Sequence, residues 1–253
     1  MCDVDFGRII DGKLLSQPVW RLLPTSAHMA ESVAGVFGVE PHRCQVDGSG
    51  DVEVVSEKNA LRVVIERPES LTTHMKSWDS RGLAHHCDGG IHLSPAARAG
   101  RPCGCPSLMT ERKARAKLGQ GPQPVTTLLF RLADASALGL FRFRSSSWRF
   151  AEAVEETRAH LVGVSGAAVC DLAIETVEFT TENGRRVCYQ KPVVRVLGQW
   201  TSVVGTALDA CPGGTRSGMP LPLASRRRPL SSAVTEPSHP APRPLPTRQS
   251  GAL

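Results

Sequence analysis

The sequence predicts an α+β protein: two similar lobes, each an antiparallel sheet with one helix, joined by a Cys/His-bearing loop and followed by a disordered C-terminal tail. Three observations predict it. A strand, a Ser/Thr-rich cap, a helix and a hairpin follow one another twice along the chain. Between the two runs lies a segment rich in cysteine, histidine and glycine, and the chain ends in proline and arginine. The implied boundaries are an N-terminal lobe over 1–82, a loop over 83–124, a C-terminal lobe over 125–200 and a tail over 201–253.

In the first half, Val19 to Leu23 is a short apolar run that reads as a strand. Thr25 and Ser26 follow as N-caps, because their hydroxyls accept from orphan amides of a first helical turn. Met29, Ala30, Val33, Ala34 and Phe37 recur at helical spacing, and Gly38 stops the helix. Cys44 to Val46 and Val52 to Ser56 flank Asp47-Gly48-Ser49-Gly50, which reads as a hairpin turn. Leu61 to Ile65 is a further strand.

In the second half, Val125 to Leu132 is strand-like, and Leu140 to Arg144 alternates apolar and basic residues with period two. Ser145 to Ser147 supply a cap, and Phe150, Val154, Thr157 and Leu161 form one helical stripe. Cys170, Leu172 and Ile174 alternate with polar residues. Val177 and Phe179 resume one residue out of phase, which predicts a bulge. Asn183-Gly184 predicts a tight hairpin, since both residues accept positive φ. Val193 to Leu197 closes the set, with Pro192 at that strand's start or on an edge.

The chain has 253 residues, 41% of them apolar, enough for a packed core. No run approaches about 18 consecutive apolar residues, which excludes a membrane-spanning helix. Met1 to Gly12 lacks the charged-then-apolar order of a signal peptide, so the expected location is the cytoplasm. Eight cysteines are too sparse for a disulfide scaffold and are expected as thiols or metal ligands. The net charge is +6, but Pro212 to Leu253 alone holds six arginines against one acid. The preceding 211 residues carry 24 basic and 23 acidic side chains, so the body is nearly neutral. Nine of the nineteen prolines also lie in that tail, which predicts an extended arm able to tether DNA weakly through Arg226, Arg227 and Arg228.

Cys87, Cys103 and Cys105 stand within a Gly- and Pro-rich stretch that also holds His85, His86 and His92. Zn²⁺ takes four N/S ligands in tetrahedral array. The three cysteines supply three, and His86 or His85 is the nearest fourth, with His86 preferred and Cys44 as a remote candidate. Plain reduced cysteines in a loop fit the same residues. A closed four-ligand site would be structural. Cys170 and Cys188 are expected to face the core as small apolar residues.

There is no Gly-x-Ser-x-Gly, no Gly-x4-Gly-Lys, no His-Glu-x-x-His and no Gly-x-Gly-x-x-Gly. With no nucleophile beside a base, the chain is expected not to be an enzyme and to take no small-molecule substrate. Trp148, beside Arg142, Arg144 and Arg149, has the composition of an interface anchor, although a core tryptophan fits as well. Trp78, Trp148, Arg142 and Arg144 are the candidate partner-binding residues.

Taken in order, Gly7-Arg8-Ile9, Thr25-Ser26, Phe37-Gly38, Val52-Glu53-Val54 and Leu61-x-Val63-Val64 are followed by Trp78 and His86-Cys87-Asp88-Gly89. Then come Cys103-Gly104-Cys105-Pro106, Pro124-x-Thr126-Thr127-Leu128 and Leu138-Gly139-x-Phe141-Arg142-x-x-Ser145. This order resembles the recombination directionality factors of actinobacteriophage large serine integrases, from about Gly7 to Gly198. That family's pattern has a cysteine just before the Pro-x-Thr element. Here residues 119–124 contain none, so a four-ligand site would draw on His85, His86 or His92.

The resemblance implies a non-catalytic controller in the cytoplasm of a bacterial host. It would bind the C-terminal region of a large serine integrase, reach attachment-site DNA only indirectly, and turn the integrase from integration toward prophage excision. The competing expectation is a zinc-stabilised phage protein that binds nucleic acid through its basic tail.

Overall fold

A computed structural model describes residues 1–10, 13–43 and 52–201. The Asp47-to-Gly50 turn, Cys44, Cys211 and the Pro/Arg-rich tail lie outside the described residues. In chain order the elements are β1 (Cys2–Ile10), β2 (Lys13–Leu23), α1 (Ala27–Phe37), β3 (His42–Arg43), β4 (Val52–Val55), β5 (Ala60–Ile65), β6 (Leu71–Asp79), β7 (Gly82–Cys87), β8 (His92–Ser94), α2 (Met109–Lys117), β9 (Gln123–Leu132), β10 (Phe141–Ser145), α3 (Trp148–Val162), β11 (Ala168–Thr180) and β12 (Arg186–Gln199).

Both expected helices form where their caps put them. The Ser26 hydroxyl accepts from the Met29 amide, and Gly38 closes α1 at φ 67°. The Ser147 hydroxyl accepts from the Phe150 amide, and Phe150, Val154, Thr157 and Leu161 are the buried stripe of α3. The Asn183-Gly184 turn joins β11 to β12, with the Thr181 amide donating to the Arg185 carbonyl at 2.9 Å.

The α+β class holds, but the two halves do not make separate lobes. Their strands interleave in one sheet, in the order β12-β11-β5-β9-β10-β1-β2-β4-β3. β5, from the first half, sits between β11 and β9. β1 pairs in parallel with β10, Val4 opposite Phe143, while the other pairings are antiparallel. On the edge away from β10, β9 carries β6 along Gln123 to Leu128 and β5 at Arg131 and Leu132, and β7 and β8 follow β6. Hydropathy alternation reports which face of a strand is buried, not which strand lies beside it.

One buried cluster fills the inner face. Trp20, Phe130, Phe141 and Phe143 pack with Leu22, Leu61, Val63, Leu128 and Leu172, and Val33 of α1 and Phe150 and Val154 of α3 close over them. Trp20 meets Phe143 edge-on at 5.3 Å, and Phe143 meets Phe150 at 5.7 Å. Each such ring removes enough apolar surface from water to contribute about 2–3 kcal/mol.

Two expectations shift in detail and one holds. The bulge in β11 falls at Val169/Cys170, and the phase change after Ile174 instead marks where β11 runs past the core. Pro192 lies on an edge strand, one of the two places expected for it, because β12 has β11 as its only strand partner among the described residues. Cys170 is buried but Cys188, on the part of β12 beyond the core, is exposed with its thiol 3.7 Å from the Glu178 carboxylate.

Candidate metal centre

The segment read as a loop is in part regular. Leu83 to Cys87 belong to β7, antiparallel to β6, with Met75 opposite Cys87 and Lys76 opposite His86. Residues alternate faces along a strand. His85 and Cys87 therefore share the inner side, and His86 points to the other.

The Cys87-Asp88-Gly89-Gly90 turn follows. The Asp88 carboxylate accepts from the amides of Gly90 (2.8 Å) and Ile91 (2.9 Å), which hold it below the usual carboxylate range. The Cys103 amide donates to the Gly90 carbonyl at 2.9 Å and brings Cys103 and Cys105 back to the turn. Gly104, at φ 72°, lets Cys103 and Cys105 both reach inward.

The result is four donor atoms, one each from His85, Cys87, Cys103 and Cys105, all within 4.8 Å of one another. His85 Nε2 lies 3.0 Å from Cys87 Sγ and 3.5 Å from Cys105 Sγ, and the Cys87 and Cys105 sulfurs are 3.7 Å apart. A tetrahedron with metal–sulfur bonds near 2.3 Å spaces its sulfurs by about 3.8 Å. The donor set thus fits a metal ion of borderline softness.

His86 takes no part. Its Nδ1 pairs with Ser94 Oγ at 2.8 Å and its Nε2 with His74 Nδ1 at 3.1 Å. The fourth donor in the structure is His85, for the geometric reason that it lies two residues from Cys87. His92 stacks on His85 with ring centroids 4.8 Å apart and is not part of the donor group.

Burial pushes the Cys87 thiol well up, and the Cys103 side chain adds to this. Burial likewise pushes Cys105 up. It pushes the His85 imidazolium down, with the charges of His92 and Arg98 acting in the same direction. A cluster of buried thiols resists ionisation until a cation supplies the compensating charge.

Arg112 of α2 braces the site from outside the donor set. Its Nε donates to the Pro106 carbonyl at 2.5 Å and its Nη2 to the Gly89 carbonyl at 2.9 Å. Gly89 is at φ 103°, and a Cβ there would overlap the Arg112 guanidinium. α2 was not expected from the sequence, although Glu111 to Lys117 is a run of strong helix formers.

The candidate partner residues scatter. Trp78 is 61% exposed at the end of the β6–β7 hairpin, opposite Leu83, itself 43% exposed. Arg144 is exposed on β10. Arg142 is committed within the chain, its Nε and Nη2 bonded to the two Asp3 carboxylate oxygens at 2.6 and 2.8 Å. Trp148 is half-buried, its indole donating to Gln123 Oε1 at 3.0 Å. Among the described residues, no helix is long and apolar enough to cross a membrane.

Over residues 15–197 the sequence matches the family described as Gp3-like, recombination directionality factor-like. The chain belongs to that family. No solved structure matches it. Membership in the recombination directionality factor-like family ties the protein to DNA recombination and implies interaction with a recombinase. The matched stretch contains the whole Cys/His cluster and the Trp78 hairpin.

Proposed function

We propose that the protein is a non-catalytic recombination directionality factor of a prophage, acting in the host cytoplasm. In this reading it grips the C-terminal region of a large serine integrase and turns it from integration to excision. Membership in the family across 15–197 carries this reading. The exposed Trp78/Leu83 pair supports it, because a solvent-facing tryptophan on a hairpin end contributes little to the fold and much to an interface.

The physics required is a population shift. A factor that binds one integrase arrangement better than another moves the equilibrium between them. Moving it from 1:99 to 99:1 takes about 5.5 kcal/mol of differential affinity. That demands a specific interface of roughly 1,000 Å² or more with a few anchors. Trp78 and Arg144 are free to serve as anchors. Arg142 and Trp148 could join them only by giving up Asp3 and Gln123.

In the same reading, His85, Cys87, Cys103 and Cys105 hold a structural Zn²⁺. Bound there, the ion would crosslink β7 to the Cys103–Cys105 loop and leave no open position for chemistry.

The test is recombination in vitro with the cognate integrase. Adding the protein should permit recombination between the two prophage-flanking sites and suppress the integration reaction. Trp78→Ala should weaken both effects at least tenfold in the concentration required. If the wild-type protein leaves both reactions unchanged, the reading is wrong.

A further inference from the structure

The three cysteines of the donor group are held unequally. Cys87 is fully buried at the end of β7, where its pairing with Met75 of β6 fixes the backbone. Cys103 is tied by its amide to the Gly90 carbonyl and follows the bridge between Ile91 and Pro102. Cys105 has no such restraint. Among the described residues its amide donates to no backbone carbonyl, and its own carbonyl accepts from no backbone amide. It also follows Gly104, which at φ 72° has the backbone freedom to swing its neighbour. Cys105 is therefore the sulfur that moves at least cost. It lies 3.7 Å from the Cys87 sulfur. A disulfide holds its sulfurs about 2.05 Å apart, so a shift of about 1.7 Å would join them.

The same sulfur is within reach of small solutes. Cys105 and Cys103 line a cavity of about 170 Å³ together with His85, Arg112, Arg115 and Gln120. That volume admits a molecule little larger than water. The surroundings are basic. Between residues 83 and 124 six lysines and arginines stand against two acids, a net +4, whereas the rest of residues 1–211 carries 18 basic and 21 acidic side chains, a net −3. Arg115, on the cavity wall, is exposed and has no acidic partner among the described residues. Thiols that are partly exposed beside cations are the ones that react as thiolates, and a coordinating metal ion keeps its sulfurs deprotonated outright.

The other described thiols lack one of these features. Cys2 and Cys170 are fully buried in the core. Cys188 is exposed, but the other cysteine of its hairpin, Cys170, lies opposite Val196, eight residues further along β12. That is about 26 Å of strand, too far for a bond within the chain.

We propose that Cys105 is an oxidation site for hydrogen peroxide, and that the product is a reversible disulfide with Cys87. The Cys105 thiolate attacks one peroxide oxygen. The O–O bond breaks, the second oxygen leaves as hydroxide, and Cys105 becomes a sulfenic acid. The Cys87 thiolate then attacks the Cys105 sulfur. The S–S bond forms, the S–O bond breaks, and a second hydroxide leaves. Two solvent protons convert both hydroxides to water. Each sulfur gives up one electron, and the peroxide takes the two. His85 and Cys103 remain as donors, too few to retain Zn²⁺. The proposal goes beyond the functional reading and needs no integrase. It shares only that reading's assignment of the metal.

The test treats the full-length, zinc-loaded chain with about 1 mM hydrogen peroxide, follows released zinc with a chelating dye, and maps alkylated peptides by fragmentation in a mass spectrometer. Expected are the loss of one zinc per chain and a Cys87–Cys105 crosslink about 2 Da lighter than the two reduced peptides. Dithiothreitol with fresh Zn²⁺ should restore the metal. Cys188→Ser should release zinc at the wild-type rate. Four results would each overturn the proposal: zinc retained under peroxide, a crosslink that joins Cys103 to Cys105 or uses Cys44 or Cys211, Cys105 recovered as sulfinic acid without a crosslink, or zinc release that requires Cys188. A chain that carries no zinc before oxidation would defeat the metal assignment, and the peptide map would still decide the disulfide.

Discussion

The sheet and the Cys/His module are held together by different physics. The sheet closes over Trp20, Phe130, Phe141 and Phe143, all at most 1% exposed, and its surface charges are paired across strands. Between residues 83 and 123 only Cys87, Gly89 and Ala116 are fully buried. The module instead relies on a turn of backbone hydrogen bonds, the Arg112 brace and four converging donors. Burial stabilises in proportion to area. A small segment without that area needs a few strong point contacts, of which metal coordination is the strongest. The comparison also leaves a difference in charge: Arg98, Arg101, Arg115 and Lys117 of the module are exposed and have no acidic partner among the described residues.

The largest expected effect lies on the sheet side. Phe143→Ala removes a ring packed against Trp20 and Phe150, and should lower stability by about 3–5 kcal/mol in a denaturant titration. Metal content at temperatures below the melting transition should stay at one per chain. Concerted loss of metal and fold would show that the two regions are one cooperative unit.

On the module side, Cys87→Ser should abolish stoichiometric zinc and open the 95–122 stretch to limited proteolysis, with the β-sheet circular dichroism retained. His85→Ala should do the same, while His86→Ala should keep the metal. The opposite pattern for the two histidines would overturn the donor assignment. Gly89→Ala tests the brace: it strains a positive φ and displaces Arg112, so metal affinity should fall about 10–100-fold without removing any ligand.

These substitutions also mark where the sequence was legible. Local chemistry could be read directly: the Ser26 and Ser147 caps, the Gly38 stop and the Asn183-Gly184 turn each act through atoms a few residues away. Pairing between distant strands could not. Nothing local in Leu61 to Ile65 says that β11 and β9 will flank it, and nothing in β10 announces a parallel partner at Cys2 to Val4.

Two further strands are marked in the sequence by period-two alternation. Cys2, Val4 and Phe6 alternate with Asp3 and Asp5, which marks β1. Leu83 to Cys87 is likewise a strand, and once so read, period two selects His85 and not His86 as the companion of Cys87. The charge of the module was hidden by averaging: +4 and −3 sum to an unremarkable total.

The smallest expected effect contrasts a paired with an unpaired arginine. Hydrogen bonds from Arg142 hold the Asp3 carboxyl below the usual carboxylate range. A carboxylate with a depressed folded pKa stabilises above its unfolded value near 4, and the stabilisation is lost as pH falls through the folded value. Asp3 and Arg142 are 38% and 29% exposed, so solvent screening limits the gain to under about 1 kcal/mol. Asp3→Asn should therefore be slightly less stable than wild type at pH 7, and urea titrations should show the gap narrowing below about pH 4. Arg115→Gln in the module should leave stability unchanged across the same range, because Arg115 has no acidic partner among the described residues. A pH-dependent gap at Arg115 as large as that at Asp3 would mean the module's cations are bound up in the fold after all, and the contrast between the two regions would disappear.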